Sequence, residues 1–338
     1  MPTAVILNDT RRGAHPGCTL VMRQLLEGCR TAGITVASAI PPGRLFAARY
    51  RRALPGCDLV IINGEGTMHH DSPGAAALAA AGNYAHQRGL PVVLINTVWE
   101  GNTTANQLLS RCSLISARES ISAEEIRSAG CFASIVPDLV LSLPPDELFS
   151  QPADRTKTIV VMDDVRSDVA LVLARYAASR GLRFCPMQHR PPLRSPRALM
   201  QWFRLFTAGR FARQFTASRV SDLTDVPLII TGRFHGVCLA ILARIPFIAV
   251  SSNTHKIEGL LADAQLGTCA RLLTDEELLP SPSGCIDKAV EQIRNCSTAE
   301  LQSYRESCRK YSESARRSAA ELFREIAAIG RGWNGERA

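Results

Sequence analysis

An arginine and a histidine follow one short apolar run in the second half of the chain. In PLIITGRFHG, Arg233 and His235 come directly after the strand-like residues 228–231. The guanidinium of Arg233 is a planar donor suited to phosphate or carboxylate. The imidazole of His235 can donate or accept a proton near neutral pH. Gly236 would let a ligand approach the backbone, and the amides of the helix expected there could bind an anion. The alternative is that Arg233 pairs with a carboxylate across a domain interface and that His235 only caps the helix.

Two further basic residues follow other predicted strands. Arg118 comes after SLISA in the first half of the chain. If it faced Arg233 across a cleft, the two arginines would clamp a dianion. The alternative is an ordinary ion pair with Glu119 or Glu124. Lys256 follows SSNTH, and it is either another anion contact or a solvated residue in the first turn of a helix.

A loop with two glycines, NGEGTMHHD, lies between a predicted strand and a predicted helix. This is the position of a phosphate-binding loop, although the sequence matches neither common glycine motif for phosphate. Gly64 and Gly66 would permit a tight turn, Thr67 could hydrogen-bond a ligand, and Glu65 could orient or deprotonate a sugar hydroxyl. The alternative is a hydrogen-bonded loop without a ligand. We expect no metal in the histidine pair that follows, because adjacent histidines rarely bind one ion.

Polar clusters follow five predicted strands in all: NDTRRGAHPGC, NGEGTMHHD, RES, TGRFHG and SSNTHK. Ligands of open α/β sheets bind beyond the carboxyl ends of the strands, so these clusters mark one edge of each predicted sheet. The clusters add four candidates for acceptor or loop contacts: Asn8, Asp9, His15 and Asn253.

Apolar runs alternate with helix-like stretches through both halves of the chain. TAVILN, DLVIIN and LPVVLINT are strand-like in the first half, and TIVVMDD, PLIIT and IPFIAV in the second. Apolar strands without alternation, separated by helices, predict parallel sheets covered on both faces. We therefore predict an α/β fold with two doubly wound, Rossmann-like domains facing a cleft, which resembles the GT-B arrangement of sugar-transfer enzymes. The predicted domains are residues 1–150, residues 157–295 with the Arg-x-His sequence, and a helical extension, 296–338, that packs across the junction.

Two helix starts are also predicted. Ser72 can cap a helix that has Pro73 at its first position. Ser122 and Glu125 have the spacing of a capping box for the helix in AEEIRSAG.

Composition limits the class of protein. A chain of 338 residues is long enough for two domains with their own cores. No apolar run reaches the roughly 20 residues that span a bilayer, and MPTAVILNDT lacks the features of a secretory signal. Eleven cysteines without a C-x-x-C spacing indicate a reduced protein without a disulfide framework or structural zinc. We therefore predict a cytoplasmic location.

The net charge of +8 is unevenly distributed. Ten arginines and no acidic residue lie between Asp168 and Asp222, and part of this segment interleaves arginine with aromatic residues. Residues 190–219 could contact an anionic membrane at the inner face or a phosphate-rich acceptor. The alternative is a helical excursion with solvated arginines and buried aromatics. No familiar nucleic-acid-binding module accompanies the charge, so we expect no nucleic-acid partner.

Residues 4–270 resemble the polysaccharide pyruvyl transferase family. The resemblance is carried by Asn8 and Asp9, NGEGT, ARES, VPDLVL, GRFHG and IPFIAVSSNTHKIEGLL, in which Lys256 matches a common lysine. Two features depart from the family pattern: the loop reads G-E-G instead of the more usual G-G-G, and HPGC after Asn-Asp-Thr is atypical.

The resemblance implies transfer of pyruvate from phosphoenolpyruvate to two hydroxyls of a sugar, with formation of a cyclic ketal and release of phosphate. The acceptor would be a lipid-linked or polymeric saccharide, a precursor in capsule or exopolysaccharide biosynthesis. Arg118, Arg233, the backbone of Phe234 and His235 match the donor-binding and catalytic positions. Phosphoenolpyruvate is the co-substrate, and neither a metal nor another cofactor is implied.

Two other functions stay open. A GT-B glycosyltransferase using a nucleotide sugar would need an acidic residue that contacts the nucleotide, for which Glu258 is the candidate. A non-catalytic glycan-binding protein of a polysaccharide assembly pathway would use the same arginines only to hold an anionic glycan.

Overall fold

The chain contains two compact units. The computed structural model describes residues 1–13, 15–45, 48–149, 158–187 and 226–337, with seven further residues between 199 and 223. The first unit comprises Met1–Arg12, Cys18–Ser142 and Ser314–Ala338. The second unit comprises Gly13–Gly17 and Leu143–Glu313. Most of the basic segment 190–219 and residues 150–157, where the first two predicted domains meet, lie outside the described residues.

The first unit is built on a six-stranded sheet whose strand pairs are all parallel. Its strands are β1 (Thr3–Leu7), β2 (Thr35–Ile40), β3 (Leu59–Glu65), β4 (Val92–Thr97), β5 (Leu114–Ala117) and β6 (Ser134–Ile135), in the order β2-β1-β3-β4-β5-β6. Every residue of β3 and β4 is buried, as expected for central strands rich in Val and Ile and covered on both faces.

Helices connect these strands: α1 (Pro16–Thr31), α2 (Ala48–Ala53), α3 (Pro73–His86), α4 (Asn106–Leu109) and α5 (Ser120–Ser128). The predicted start of α3 is confirmed, because the Ser72 hydroxyl accepts a hydrogen bond from the Ala75 amide and Pro73 is the first helical residue. The predicted capping box of α5 is wrong. Glu119 caps this helix by accepting from the Ser122 amide, and the Glu125 carboxylate accepts instead from the Gly101 amide.

The second unit contains a five-stranded sheet, also entirely parallel, in the order β11-β10-β9-β7-β8. Its strands are β7 (Val160–Asp164), β8 (Arg183–Phe184), β9 (Ile229–Gly232), β10 (Phe247–Val250) and β11 (Ala270–Leu273). Its described helices are α6 (Pro145–Phe149), α7 (Ser167–Ser179), α8 (Phe234–Ala243), α9 (Lys256–Ala264), α10 (Asp275–Leu278) and α11 (Pro282–Arg294). The prediction of two Rossmann-like parallel sheets flanked by helices is confirmed.

The last helix, α12 (Thr298–Arg337), belongs to both units, with the division after Glu313. It coincides with the predicted helical extension, residues 296–338. The predicted cleft between the domains and the predicted packing of the extension across their junction stay predictions. Within the described part of the chain, no helix is both long enough and apolar enough to cross a membrane.

Candidate functional site

Arg118 lies at the carboxyl end of β5 in the first unit. Its amide donates to the Thr97 carbonyl at 3.0 Å, which joins it to the end of the neighbouring strand β4. Its side chain is buried, with Nη1 3.4 Å from Oδ2 of Asp138. Asp138 is held in turn by the Val140 amide, which donates to Oδ1 at 3.0 Å. The ion pair of Arg118 is therefore with Asp138.

The two predicted ion-pair partners of Arg118 have other roles. Glu119 caps α5, and Glu124 pairs with Arg127. Arg118 is paired with Asp138 because the strand order brings a carboxylate from beyond β6 to the end of β5. The sequence pattern contains no local sign of the Asp138 partnership.

The glycine loop at the end of β3 makes the predicted tight turn, since the Thr67 amide donates to the Gly64 carbonyl at 3.0 Å. Its left-handed residue is Glu65, with φ 44°, and neither glycine has a positive φ. Gly64 is required for another reason: a Cβ there would lie 2.3 Å from Thr97 Oγ1 of the adjacent strand. A Cβ on Gly66 would lie 4.0 Å from Nη2 of Arg118, so the loop and the arginine are neighbours.

Asparagines connect the ends of three adjacent strands of the first sheet. Asn8 Nδ2 donates to the Asn63 carbonyl at 2.8 Å and to Thr67 Oγ1 at 3.2 Å. Asn63 Nδ2 donates to Glu65 Oε2 at 3.3 Å, and Asn96 Nδ2 lies 3.5 Å from Asn63 Oδ1. Asn63 and Asn96 are not among the predicted site residues. The repeated endings VILN, VIIN and VLIN were the signal that could have identified them.

Two acidic residues near this edge are held by neighbours in sequence or space. Both Asp9 carboxylate oxygens accept from Arg11, at 2.8 and 2.6 Å. Asp71 accepts from Thr103 and Thr104, and these hydrogen bonds lower its pKa to about 2. Asp71 therefore fastens the end of the histidine-containing loop to the loop that follows β4.

Arg233 lies at the carboxyl end of β9 in the second unit, where it is the N-cap residue of α8. Nη2 donates to Asp163 Oδ2 at 2.6 Å, and Oδ1 of the same carboxylate accepts from the Met187 amide at 2.9 Å. The side chain is 12% exposed. The carboxylate belongs to the second unit itself, so this ion pair is internal to that unit. Asp163 thus orients the guanidinium at the strand end.

His235 is the second residue of α8, so it does not cap the helix as the alternative supposed. It is 7% exposed, and its ring centroid lies 5.4 Å from that of His15 and 5.7 Å from that of Phe234. A Cβ on Gly17 would lie 2.2 Å from Cγ of His235. Gly17, which the sequence analysis missed, therefore makes room for the imidazole.

Gly236 has a packing role that the sequence analysis did not predict. A Cβ at this position would lie 2.3 Å from Thr231 Oγ1 and 2.9 Å from Met162 Sδ. The missing side chain thus lets α8 approach β9 and β7 closely, and the predicted approach of a ligand to this backbone stays a prediction.

Lys256 begins α9 and is 8% exposed, so the alternative of a solvated residue is wrong. Its Nζ donates to Asn253 Oδ1 at 2.5 Å. Glu258, the candidate for nucleotide contact, accepts from Ser251 Oγ at 2.8 Å. The polar residues after β10 thus form one hydrogen-bonded loop.

Asp164, the last residue of β7, is a buried carboxylate that the sequence analysis missed. Its Oδ1 accepts from the Arg166 amide at 2.6 Å. Burial raises its pKa to about 6, although Arg166 and Arg233 act in the opposite direction. The consecutive acids that end TIVVMDD were the sequence signal for both Asp163 and Asp164.

Comparisons with known proteins agree with this architecture. A family model described as polysaccharide pyruvyl transferase matches residues 21–196, slightly more than half of the chain. No curated protein matches the chain.

Several solved structures share the fold. The S. aureus MnaA–UDP co-structure has a TM-score of 0.60 and 12% identity, covering 94% of this chain and 94% of that one. The UDP-GlcNAc 2-epimerase from Neisseria meningitidis bound to UDP-GlcNAc has a TM-score of 0.55 and 12% identity, covering 96% and 99%. Arabidopsis thaliana UGT89C1 complexed with UDP-L-rhamnose has a TM-score of 0.57 and 10% identity, covering 97% and 99%. These similarities establish a GT-B-like, Rossmann-like fold and carry no information about the substrate.

Proposed function

This chain belongs to the polysaccharide pyruvyl transferase family, and we propose that it transfers pyruvate from phosphoenolpyruvate to two hydroxyls of a saccharide. The family makes it a transferase that acts on a saccharide acceptor; the donor and the ketal product are our proposal. The observation that carries the proposal is the end of β9, where Asp163 orients Arg233 two residues before His235. Such a pair can bind an anion and deliver a proton to it.

The proposed donor suits the cationic residues at the strand ends. Phosphoenolpyruvate carries a phosphate and a carboxylate, and Arg233 and Lys256 supply two positive charges from neighbouring strand ends of the second sheet. We assign Arg118 to the same donor, together with the backbone of Phe234. The low exposure of these side chains strengthens their electrostatic interaction with a bound anion.

The proposed reaction begins with proton transfer from His235 to the methylene carbon of the donor, which leaves an oxocarbenium-like centre at the carbon that bears the phosphate. The oxygen of the first sugar hydroxyl forms a bond to that carbon, and its proton returns to His235. The bond to the phosphate oxygen breaks, and the second hydroxyl closes the ring. Its proton leaves with the phosphate, whose departing charge Arg233 and the amides of α8 stabilise.

We place the acceptor sugar beside the asparagine-bridged strand ends of the first unit. Asn8, Thr67 and Glu65 present amide, hydroxyl and carboxylate groups, which are the types that bind sugar hydroxyls. In this proposal Glu65 orients one acceptor hydroxyl. We further propose that the acceptor is lipid-linked and that the enzyme is cytoplasmic. Residues 190–219 would then make peripheral contact with the membrane.

The test is incubation of the purified protein with phosphoenolpyruvate and candidate lipid-linked or nucleotide-linked sugars. The expected result is release of phosphate, together with an acceptor that gains the mass of pyruvate minus water. The matched control is His235→Ala, which should form no ketal. Thermal-shift measurements separate the alternatives: stabilisation by phosphoenolpyruvate supports the proposal, whereas stabilisation by a nucleoside diphosphate or by oligosaccharide alone, without ketal formation, contradicts it.

A further inference from the structure

Arg166 connects three strand ends of the second sheet. It follows β7 by two residues, and its Nε lies 3.5 Å from Asp164 Oδ1. Nη1 donates to Asp275 Oδ2 at 2.5 Å, at the start of α10 after β11. Nη2 donates to the carbonyl of Ser251, the residue after β10. One guanidinium therefore joins the ends of β7, β10 and β11.

The strand order makes this connection pass beside the Arg-x-His sequence. β9 lies between β7 and β10, so a side chain that reaches from one to the other crosses the carboxyl end of β9. Two strand spacings of about 4.8 Å set the span at roughly 10 Å, and the hydrogen bond from Nη2 to the Ser251 carbonyl shows that Arg166 covers it. The residue that follows β9 is Arg233, the proposed donor ligand.

The last residue of β9 leaves room for this arrangement. Gly232 pairs in register with Asp164, and a Cβ there would lie 1.8 Å from Asp164 Oδ2. Any side chain at this position would displace the carboxylate that contacts Arg166. Gly232 is thus explained by the Asp164–Arg166 contact. In sequence it directly precedes Arg233 of the proposed donor site.

Ser251, whose carbonyl accepts the hydrogen bond from Arg166, is the first residue of the loop that carries Lys256. The Ser251 amide donates to the Leu273 carbonyl at 3.0 Å, and its hydroxyl donates to Glu258 in the first turn of α9. Fixing Ser251 therefore fixes both ends of a six-residue loop, residues 251–256. Asp164 and Asp275 balance the charge of Arg166, so it holds the loop without competing for a bound anion.

We propose that Arg166 is a positioning residue, which holds the loop 251–256 so that Lys256 and Arg233 bind the same anionic donor. This inference rests on the proposed function for the identity of the donor. Arg166 is not assigned a contact with phosphoenolpyruvate or with the reacting atoms. Its loss should therefore affect the binding of the donor more than the chemical step.

The test compares Arg166→Gln with the wild-type protein in two measurements. The first is amide hydrogen exchange of residues 251–256 without any substrate, which should become faster in the variant. The second is steady-state kinetics, in which KM for phosphoenolpyruvate should rise about tenfold while kcat changes less than about twofold. Arg166→Lys should give an intermediate KM, because a point charge cannot bond three acceptors as the planar guanidinium does.

Arg180→Gln is the matched control. Arg180 follows the other end of α7 and pairs with the exposed carboxylate of Asp287, so its loss should leave loop exchange and KM unchanged. Asp275→Asn is the second test variant in case Arg166→Gln folds poorly. It weakens the same contact from a partly exposed side chain, and a smaller rise in KM is expected.

Unchanged hydrogen exchange of residues 251–256 in Arg166→Gln and Asp275→Asn would overturn the inference. So would an unchanged KM in an enzyme that turns over phosphoenolpyruvate. If the wild-type protein does not consume phosphoenolpyruvate at all, the proposed function fails separately. In that case the exchange data alone decide on the loop, with faster exchange supporting the role of Arg166 and unchanged exchange refuting it.

Discussion

We predict that Asp164 makes a pH-dependent contribution to the free energy of unfolding and that Asp164→Asn removes this contribution. The residue is 2% exposed, and burial raises the pKa of its carboxyl group from 3.8 to about 6. The folded protein therefore binds this proton more tightly than the unfolded chain does. The resulting stabilisation is complete below about pH 3.8 and is lost as the pH rises through about 6. A shift of about two pKa units corresponds to about 3 kcal/mol between these limits.

The amide variant has the same shape and no ionisation, and its Oδ1 can still accept from the Arg166 amide. Urea unfolding at several pH values from about 4 to about 7.5 should show the wild-type protein losing about 2.4 kcal/mol relative to Asp164→Asn, because part of the total of about 3 kcal/mol lies below about pH 4. Asp287→Asn is the control with the opposite sign, because the hydrogen bond from Arg180 lowers the Asp287 pKa and its contribution is lost as the pH falls. A constant difference between wild type and Asp164→Asn across this pH range would refute the reasoning.

Three other substitutions test the second unit. His235→Ala should abolish ketal formation and largely spare donor binding by calorimetry; a fully active variant would exclude His235 as the proton donor. Arg233→Lys should weaken phosphoenolpyruvate binding about tenfold, because a fork becomes a point charge and the contact with Asp163 changes; unchanged affinity would place the anion elsewhere. Gly17→Ala should lower kcat, because its Cβ would occupy the space of the His235 ring; wild-type kcat in a folded variant would contradict this packing.

The α/β class and the positions of the polar clusters follow from local patterns. The strands within apolar runs such as DLVIIN and PLIIT are buried at every residue in a parallel sheet, so the lack of alternation in these runs identified them as strands. Arg233 and His235 are the first and third residues after β9, and chain connectivity alone places them at the sheet edge. Predictions of this kind need only neighbouring residues.

The partners of these residues depend on strand order, which local patterns do not specify. Asp163 reaches Arg233 because β7 and β9 are adjacent although 70 residues separate the two side chains. The same adjacency places Asp164 against Gly232, and the order β10-β9-β7 lets Arg166 cross to Ser251. Ion pairs and close packing form between side chains that are near in space, whatever their distance along the chain. The sequence therefore identified the cationic residues, and the folded structure was needed to identify the carboxylates and glycines that orient them.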